Sequence, residues 1–168
     1  MEENTTTSAT QTQQQDAQSG QQQQQMTMTE KLIALRQSWT AEITDINAML
    51  KNLQSIDKLL NYIYMKRQNA VDLYYGTYGV YNTQIRNWKC SYAQIYNQLK
   101  TGQNNIRYTS DTAINVQIEA QLVSQKQTID ELKNFLDFMW ETIKTIDNII
   151  FGVNQKVKIY EIQNGLKY

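Results

Sequence analysis

Residues 129–150 have the sequence IDELKNFLDFMWETIKTIDNII, and this stretch decides the fold. Its apolar side chains recur at alternating steps of three and four residues, at Ile129, Leu132, Leu136, Met139, Ile143, Ile146 and Ile150. Such spacing places all of them on one face of an α-helix and is typical of a coiled-coil seam. The alternation extends back through Gln125, its one polar member, to Ile118. The sequence therefore predicts one uninterrupted helix across this seam.

The first helix is predicted to begin at a capping box. Thr27 and Glu30 stand three residues apart, which lets their side chains satisfy backbone amides of the first turn. Apolar residues then follow at helical steps between positions 32 and 63. The pattern predicts a single helix from Thr27 to Tyr75, which is too long for a compact globule of this size.

Glycines are expected to separate this helix from the next. Gly76 and Gly79 should break the chain, because glycine weakens helices and permits unusual backbone angles. A heptad seam between positions 78 and 99 predicts the second helix, and positions 101–105 predict a turn.

The third helix, which carries the 118–150 seam, is predicted to begin near Ser110 or Asp111. Gly152 should interrupt it, and a short last helix should end at Gly165. No segment has the pattern of a strand. The predicted fold is all-α, with extended helices of coiled-coil character and a helical C-terminal oligomerisation region.

The composition argues against catalysis and against metal sites. The chain has no His, which removes the central member of most metal sites and nucleophilic triads. Its single Cys excludes an internal disulfide and Cys-based zinc sites, so Cys90 is interpreted as an ordinary helical residue. The acidic residues of the third helix are interpreted as solvated or paired across a coiled coil. We therefore expect no enzyme, no cofactor and no metal.

Charge and composition divide the chain into three regions. Residues 1–29 form a Gln- and Thr-rich tail with three acidic residues and no basic one, and we expect it to be disordered. Residues 30–107 are expected to form a helical, basic, Tyr-rich DNA-binding region, because positions 58–107 hold seven basic residues against one acidic. Residues 108–168 are expected to form the helical coiled-coil oligomerisation region, where positions 108–150 hold three basic residues against seven acidic.

Tyrosines are concentrated in the basic region. Nine of the eleven lie between positions 62 and 108, interleaved with basic residues. Proteins that bind single strands combine positive charge for the phosphates with flat rings on which bases stack. The heptad spacing assigns some of these rings to a core, namely Tyr78, Tyr81, Trp88 and Tyr92. Tyr74 and Tyr75 stand beside the glycines, outside any long seam, and are candidates for stacking.

Two interpretations of the 118–150 seam remain open from the residues alone. The seam could close an internal helical hairpin, or it could form a subunit interface. We favour the interface, because further bulky apolar residues exceed what one narrow helix pair can cover. These are Phe135, Phe138, Trp140, Ile149 and Phe151. The seven apolar residues from Ile129 to Ile150 named above are the predicted oligomerisation residues.

Two segments resemble the UvsY family of phage recombination mediators. The sequence FLDFMWETIKTIDNIIFGVNQKVKIYEIQNG at positions 135–165 is similar to the family's last segment, in which an apolar helix containing Leu-Asp-Phe leads to a glycine and a short basic helix. Asp72-Leu-Tyr-Tyr-Gly76 is similar to the Leu-Asp-Tyr-Tyr-Ser-Gly that ends the family's basic helix.

The resemblance implies a protein that binds single-stranded DNA as a ring-shaped homo-oligomer of about six or seven subunits. Such a protein helps a RecA-like recombinase to replace the single-strand-binding protein on DNA, and it hydrolyses nothing itself. The resemblance and the local charge together predict DNA contacts at Lys66, Arg67, Tyr74, Tyr75, Arg86 and Lys89.

The alternative function is a coiled-coil structural or scaffold protein, such as a virion or assembly component, without a nucleic-acid role. No apolar run approaches the ~20 residues of a membrane span. The N-terminal segment is neither basic nor apolar, unlike a signal peptide. We therefore expect no membrane partner and a cytoplasmic location, in the host cell if the chain is phage-encoded.

Overall fold

The computed structural model describes residues 26–51, 56–102, 108–163 and 165. It contains four α-helices, α1 (Met28–Met49), α2 (Ile56–Thr101), α3 (Asp111–Gln121) and α4 (Val123–Gln163). No strand occurs in these residues, so the all-α prediction is confirmed. α2 has 46 residues and is about 69 Å long at a rise of about 1.5 Å per residue. Residues 1–25 of the predicted tail, positions 103–105 of the predicted turn and Arg107 lie outside the described residues.

α1 begins where the capping box predicts. The Thr27 hydroxyl accepts a hydrogen bond from the Glu30 amide at 3.2 Å, and Glu30 Oε2 accepts one from the Thr27 amide at 2.7 Å. The prediction of one helix from Thr27 to Tyr75 is wrong, because α1 ends at Met49. A straight rod would leave the apolar side of α1 in water. Because α1 ends there, Ile46 of α1 packs in the same core as Ile63 of α2.

Three of the glycines predicted to break helices lie inside them. α2 continues through Gly76 and Gly79, and α4 continues through Gly152, so the three predicted breaks are wrong. Glycine lowers helix stability without imposing another conformation, and the apolar contacts on either side keep these segments helical. Within the described part of the chain, glycine has a positive φ at two places, Gly102 (75°) and Gly165 (70°). Gly102 directly follows α2, at the predicted turn.

Three helices share the main core. α2 and α4 are antiparallel, because Arg67 contacts Asp147, Tyr74 contacts Trp140 and Lys126 lies over Trp88. α1 packs on one side of this pair. The buried members of the core are Leu32, Ile46, Leu59, Ile63, Ala70, Leu132, Phe135, Met139, Ile143, Ile146 and Ile150.

A bend at Leu122 interrupts the predicted 118–150 helix. α3 ends at Gln121 and α4 begins at Val123, although the Leu122 amide still donates to the Ile118 carbonyl at 2.9 Å. We call this bend the elbow. α3 packs on the far end of α2, where Leu99, Ile114, Ile118 and Leu122 form a second core. Gln125, the polar member of the seam, is exposed just after the elbow.

We predict that Gly76→Ala and Gly79→Ala each raise the free energy of unfolding by about 0.5–1 kcal/mol. Both positions lie inside α2, and an added Cβ meets no atom within 4 Å. Urea denaturation followed by circular dichroism measures the change. Gly102→Ala is the contrasting variant, because its φ of 75° should make alanine destabilising by about 1–2 kcal/mol. Destabilisation by Ala at position 76 or 79 would contradict a continuous α2.

Candidate nucleic-acid interface

The predicted oligomerisation residues lie inside a single chain. All seven are at most 9% exposed, and five of them belong to the main core with α1 and α2. Internal packing, the alternative left open by the sequence, therefore accounts for the burial of these seven residues. Uncovered apolar side chains of α4 include Trp140, Phe151 and Ile162, which are 49%, 65% and 72% exposed.

Two of the predicted DNA contacts form ion pairs within the fold. Lys66 Nζ donates to Glu42 Oε2 at 2.7 Å, and the Tyr62 hydroxyl donates to the other oxygen of the same carboxylate. Burial alone would raise the pKa of Glu42, but these two hydrogen bonds outweigh it and lower that pKa. Arg67 Nε lies 2.5 Å from Asp147 Oδ1. The charges of Lys66 and Arg67 are thus compensated by α1 and α4.

Arg86 and Lys89 are in a different state. Both are exposed on α2, and neither makes an ion pair or a hydrogen bond with a described residue. α2 has no acidic residue after Asp72, so no carboxylate on this part of the helix offsets them. A phosphate can approach these two charges without first breaking an internal contact.

An aromatic cluster lies halfway along α2. The Tyr74 ring stacks on Tyr78 with centroids 6.3 Å apart and planes 6° apart, and it contacts Trp140 of α4 at 6.0 Å. Tyr75 meets Tyr74 edge-on at 5.4 Å. Tyr75 is 66% exposed and Tyr78 is 45% exposed, whereas Tyr74 packs against the main core. Tyr74 therefore supports the neighbouring rings, and Tyr75 and Tyr78 offer faces to solvent.

The assignment of Tyr78 to a core is wrong. Its ring lies on Tyr74 at the edge of the α2–α4 pair instead of entering between the helices. Heptad spacing shows which side of a helix faces a partner, but it does not show where along the helix the partner covers that side. Tyr81, Trp88 and Tyr92 are half-buried against the two cores, in agreement with the prediction.

The exposed rings and the uncompensated charges share one face of α2. Tyr75 and Arg86 are eleven residues apart, as are Tyr78 and Lys89, and eleven residues make about three helical turns. The rings therefore precede the charges by about 16 Å along the same face. We call these four residues the α2 stripe. Sequence reasoning named three of its members and missed Tyr78.

Known proteins add no further information about this site. Protein-family models, curated proteins and solved structures contain no match to the chain. The described residues include no group of three or more metal-ligating side chains. Among the described helices, none is long and apolar enough to span a membrane.

We predict that Arg86→Gln with Lys89→Gln weakens single-stranded oligonucleotide binding and flattens its salt dependence. The slope of log affinity against log salt should fall by about 1.4, which is roughly 0.7 for each lost phosphate contact. The matched control, Lys66→Gln with Arg67→Gln, removes the same net charge from residues already paired with Glu42 and Asp147. If both double variants lose affinity equally, Lys66 and Arg67 also contact the oligonucleotide.

Proposed function

We propose that this protein binds single-stranded DNA along the α2 stripe and acts as a recombination mediator. The observation that carries the proposal is the alignment of Tyr75 and Tyr78, both exposed, with Arg86 and Lys89, both uncompensated. Rings on which bases stack and charges that meet phosphates are the two requirements of single-strand binding. Tyr74 and Trp140 support the rings from behind.

The exposed rings favour a single strand over a duplex. The bases of a duplex are already stacked on each other, so a Tyr face adds stacking energy only where bases are unpaired. The backbone charges alone would attract either form. The division of the stripe into a ring end and a charged end therefore suits an extended strand that lies along α2.

One stripe is a small binding site, so we propose that the protein works as a homo-oligomer. Two uncompensated charges bind phosphate weakly, whereas linked sites gain affinity through a high effective concentration. The proposed contact is the exposed apolar side of α4 near its C-terminal end. Phe151 and Ile162 lie eleven residues apart on one face there and are 65% and 72% exposed.

The proposed partners are a RecA-like recombinase and the single-strand-binding protein that it replaces. Asp130 and Asp137 are exposed on α4, and neither makes an ion pair with a described residue. Acidic residues repel DNA and attract a basic protein surface. A protein that holds DNA on one helix and offers acidic groups on another is suited to bring a recombinase to the strand.

The alternative function is a coiled-coil scaffold without a nucleic-acid role. Its support is the elongated shape of α2 and α4 together with the exposed apolar residues at the end of α4. A scaffold has no need for an aligned set of exposed rings and uncompensated charges. DNA binding that falls steeply with salt therefore separates the two functions.

We predict that Tyr75→Ala weakens binding of a single-stranded oligonucleotide by about 1–3 kcal/mol, because a stacking face is lost. Fluorescence anisotropy at fixed salt measures the change. Tyr75→Phe is the matched variant, and it should bind like the wild type because the ring remains. If both substitutions weaken binding equally, the hydroxyl is the contact and stacking at this position is excluded.

We predict that Phe151→Glu with Ile162→Glu lowers the mass observed in sedimentation while helix content stays unchanged, because both side chains are exposed in the single chain. On DNA covered by single-strand-binding protein, the wild type should shorten the lag of a recombinase from the same source, and this variant should not.

The control for the oligomer variant is Ile33→Glu with Val116→Glu, at sites that are 51% and 58% exposed on α1 and α3. It should retain both the mass and the effect on the lag. If the wild type leaves the lag unchanged, the mediator function fails and the scaffold function takes its place.

A further inference from the structure

A pocket lies inside the elbow, between α2 and the junction of α3 with α4. Its volume is about 390 Å³, which falls within the range of about 300–1,000 Å³ typical of ligand sites. It lies at the same level along α2 as Arg86 and Lys89, because both are within one helical turn of Trp88. The lining residues are Trp88, Tyr92, Glu119, Leu122, Val123 and Lys126.

Two aromatic rings form one wall of this pocket. The centroids of Trp88 and Tyr92 are 5.4 Å apart, with the planes inclined by 45°. The Tyr92 hydroxyl donates to Asn115 Oδ1 at 2.6 Å, which fixes its ring against α3. Lys126 Nζ lies 5.7 Å from the centre of the Trp88 ring. The wall therefore combines a flat surface with a nearby positive charge on a flexible stem.

A carboxylate also lines the pocket. Glu119 is exposed on the last turns of α3, and it makes neither an ion pair nor a hydrogen bond with the described residues. An ionised carboxylate only accepts hydrogen bonds, so the group that it selects must be a donor. A flat ring that carries an N–H₂ group stacks on the aromatic wall and donates a hydrogen bond to the carboxylate of Glu119.

We propose that the elbow pocket takes one unstacked nucleobase that carries an exocyclic amino group. This inference rests on the proposed binding of single-stranded DNA. The base stacks on Trp88, its amino group donates to Glu119, and the Lys126 ammonium leaves the ring face to meet the adjoining phosphate. Lys89 of the α2 stripe lies about 100° around α2 from Trp88 and meets the backbone on that side.

The pocket therefore prefers cytosine to thymine. Cytosine presents an N4 amino group as donor, whereas thymine has a carbonyl oxygen at the same position, which a carboxylate repels. The two pyrimidines have the same ring size, so a comparison between them isolates this contact. A hydrogen bond to a charged group corresponds to a preference of roughly tenfold.

The test compares the affinities of short oligo(dC) and oligo(dT) for the wild type and for Glu119→Gln at equal salt. We expect the wild type to bind oligo(dC) about tenfold more tightly and the variant to lose this preference, because an amide also donates to the thymine carbonyl. Asp45→Asn, at an exposed carboxylate of α1, is the matched control and should keep the preference.

A second measurement reports the base in the pocket directly. With Trp39→Phe and Trp140→Phe, Trp88 is the remaining tryptophan of the chain, and its fluorescence should be quenched more by oligo(dC) than by oligo(dT). Equal affinity for the two oligonucleotides would overturn the pocket assignment and leave the proposed function intact. Failure to bind either would overturn both.

Discussion

The fold depends on one apolar stripe of α4 that α1 and α2 bury together. Leu132, Met139 and Ile146 on this stripe are at most 1% exposed. Full burial of such a side chain contributes about 1.5–3 kcal/mol, and a helix that stands alone in water gains none of it. α1 therefore ends at its C-cap Leu50 and packs against this stripe. α2 buries the most apolar surface by lying alongside α4. The end of α1 at Met49 and the antiparallel pairing of the two long helices, α2 and α4, follow from the same burial.

This packing also decides which positive charges of α2 remain uncompensated. Glu42 of α1 and Asp147 of α4 reach Lys66 and Arg67 because all four residues lie where the three helices meet. Near the far end of α2, Lys100 is paired with Asp111 at 2.6 Å, at the start of α3. Arg86 and Lys89 lie between these two regions of contact, on the outer face of the helix. Three basic residues of α2 are thus paired internally, whereas Arg86 and Lys89 stand one turn apart without an ion pair to a described residue.

Sequence periodicity predicted the class of fold and most of its buried residues, since helical spacing depends only on local geometry. It could not show what buries a face, so Ile143 and Ile146, which we assigned to a subunit interface, fitted an internal hairpin as well. The ion pair between Arg67 and Asp147 joins residues 80 positions apart, and no local pattern contains it. Glycine was overestimated as a helix breaker at Gly76, because packing of the flanking turns outweighs a propensity cost of about 1 kcal/mol. The bend at Leu122 could not be predicted from the sequence, because an apolar residue stands there in the register expected of a continuous helix.

The outer face of α2 argues for binding over a purely structural role. Gly76 and Gly79 lie inside a helix, and a Cβ added at either position would contact no neighbouring atom. A purely structural helix would therefore be more stable with alanine at both positions. They stand directly after Tyr75 and Tyr78, two rings that leave much of their apolar surface in water. Each feature alone is ordinary on a protein surface. Together they define one face of α2 that has two exposed rings beside two glycines that lower helix stability. The two uncompensated charges, Arg86 and Lys89, follow on the same face. The proposed binding of an extended, negatively charged strand with unpaired bases uses both the rings and the charges, and the proposed alternative, a scaffold, requires neither.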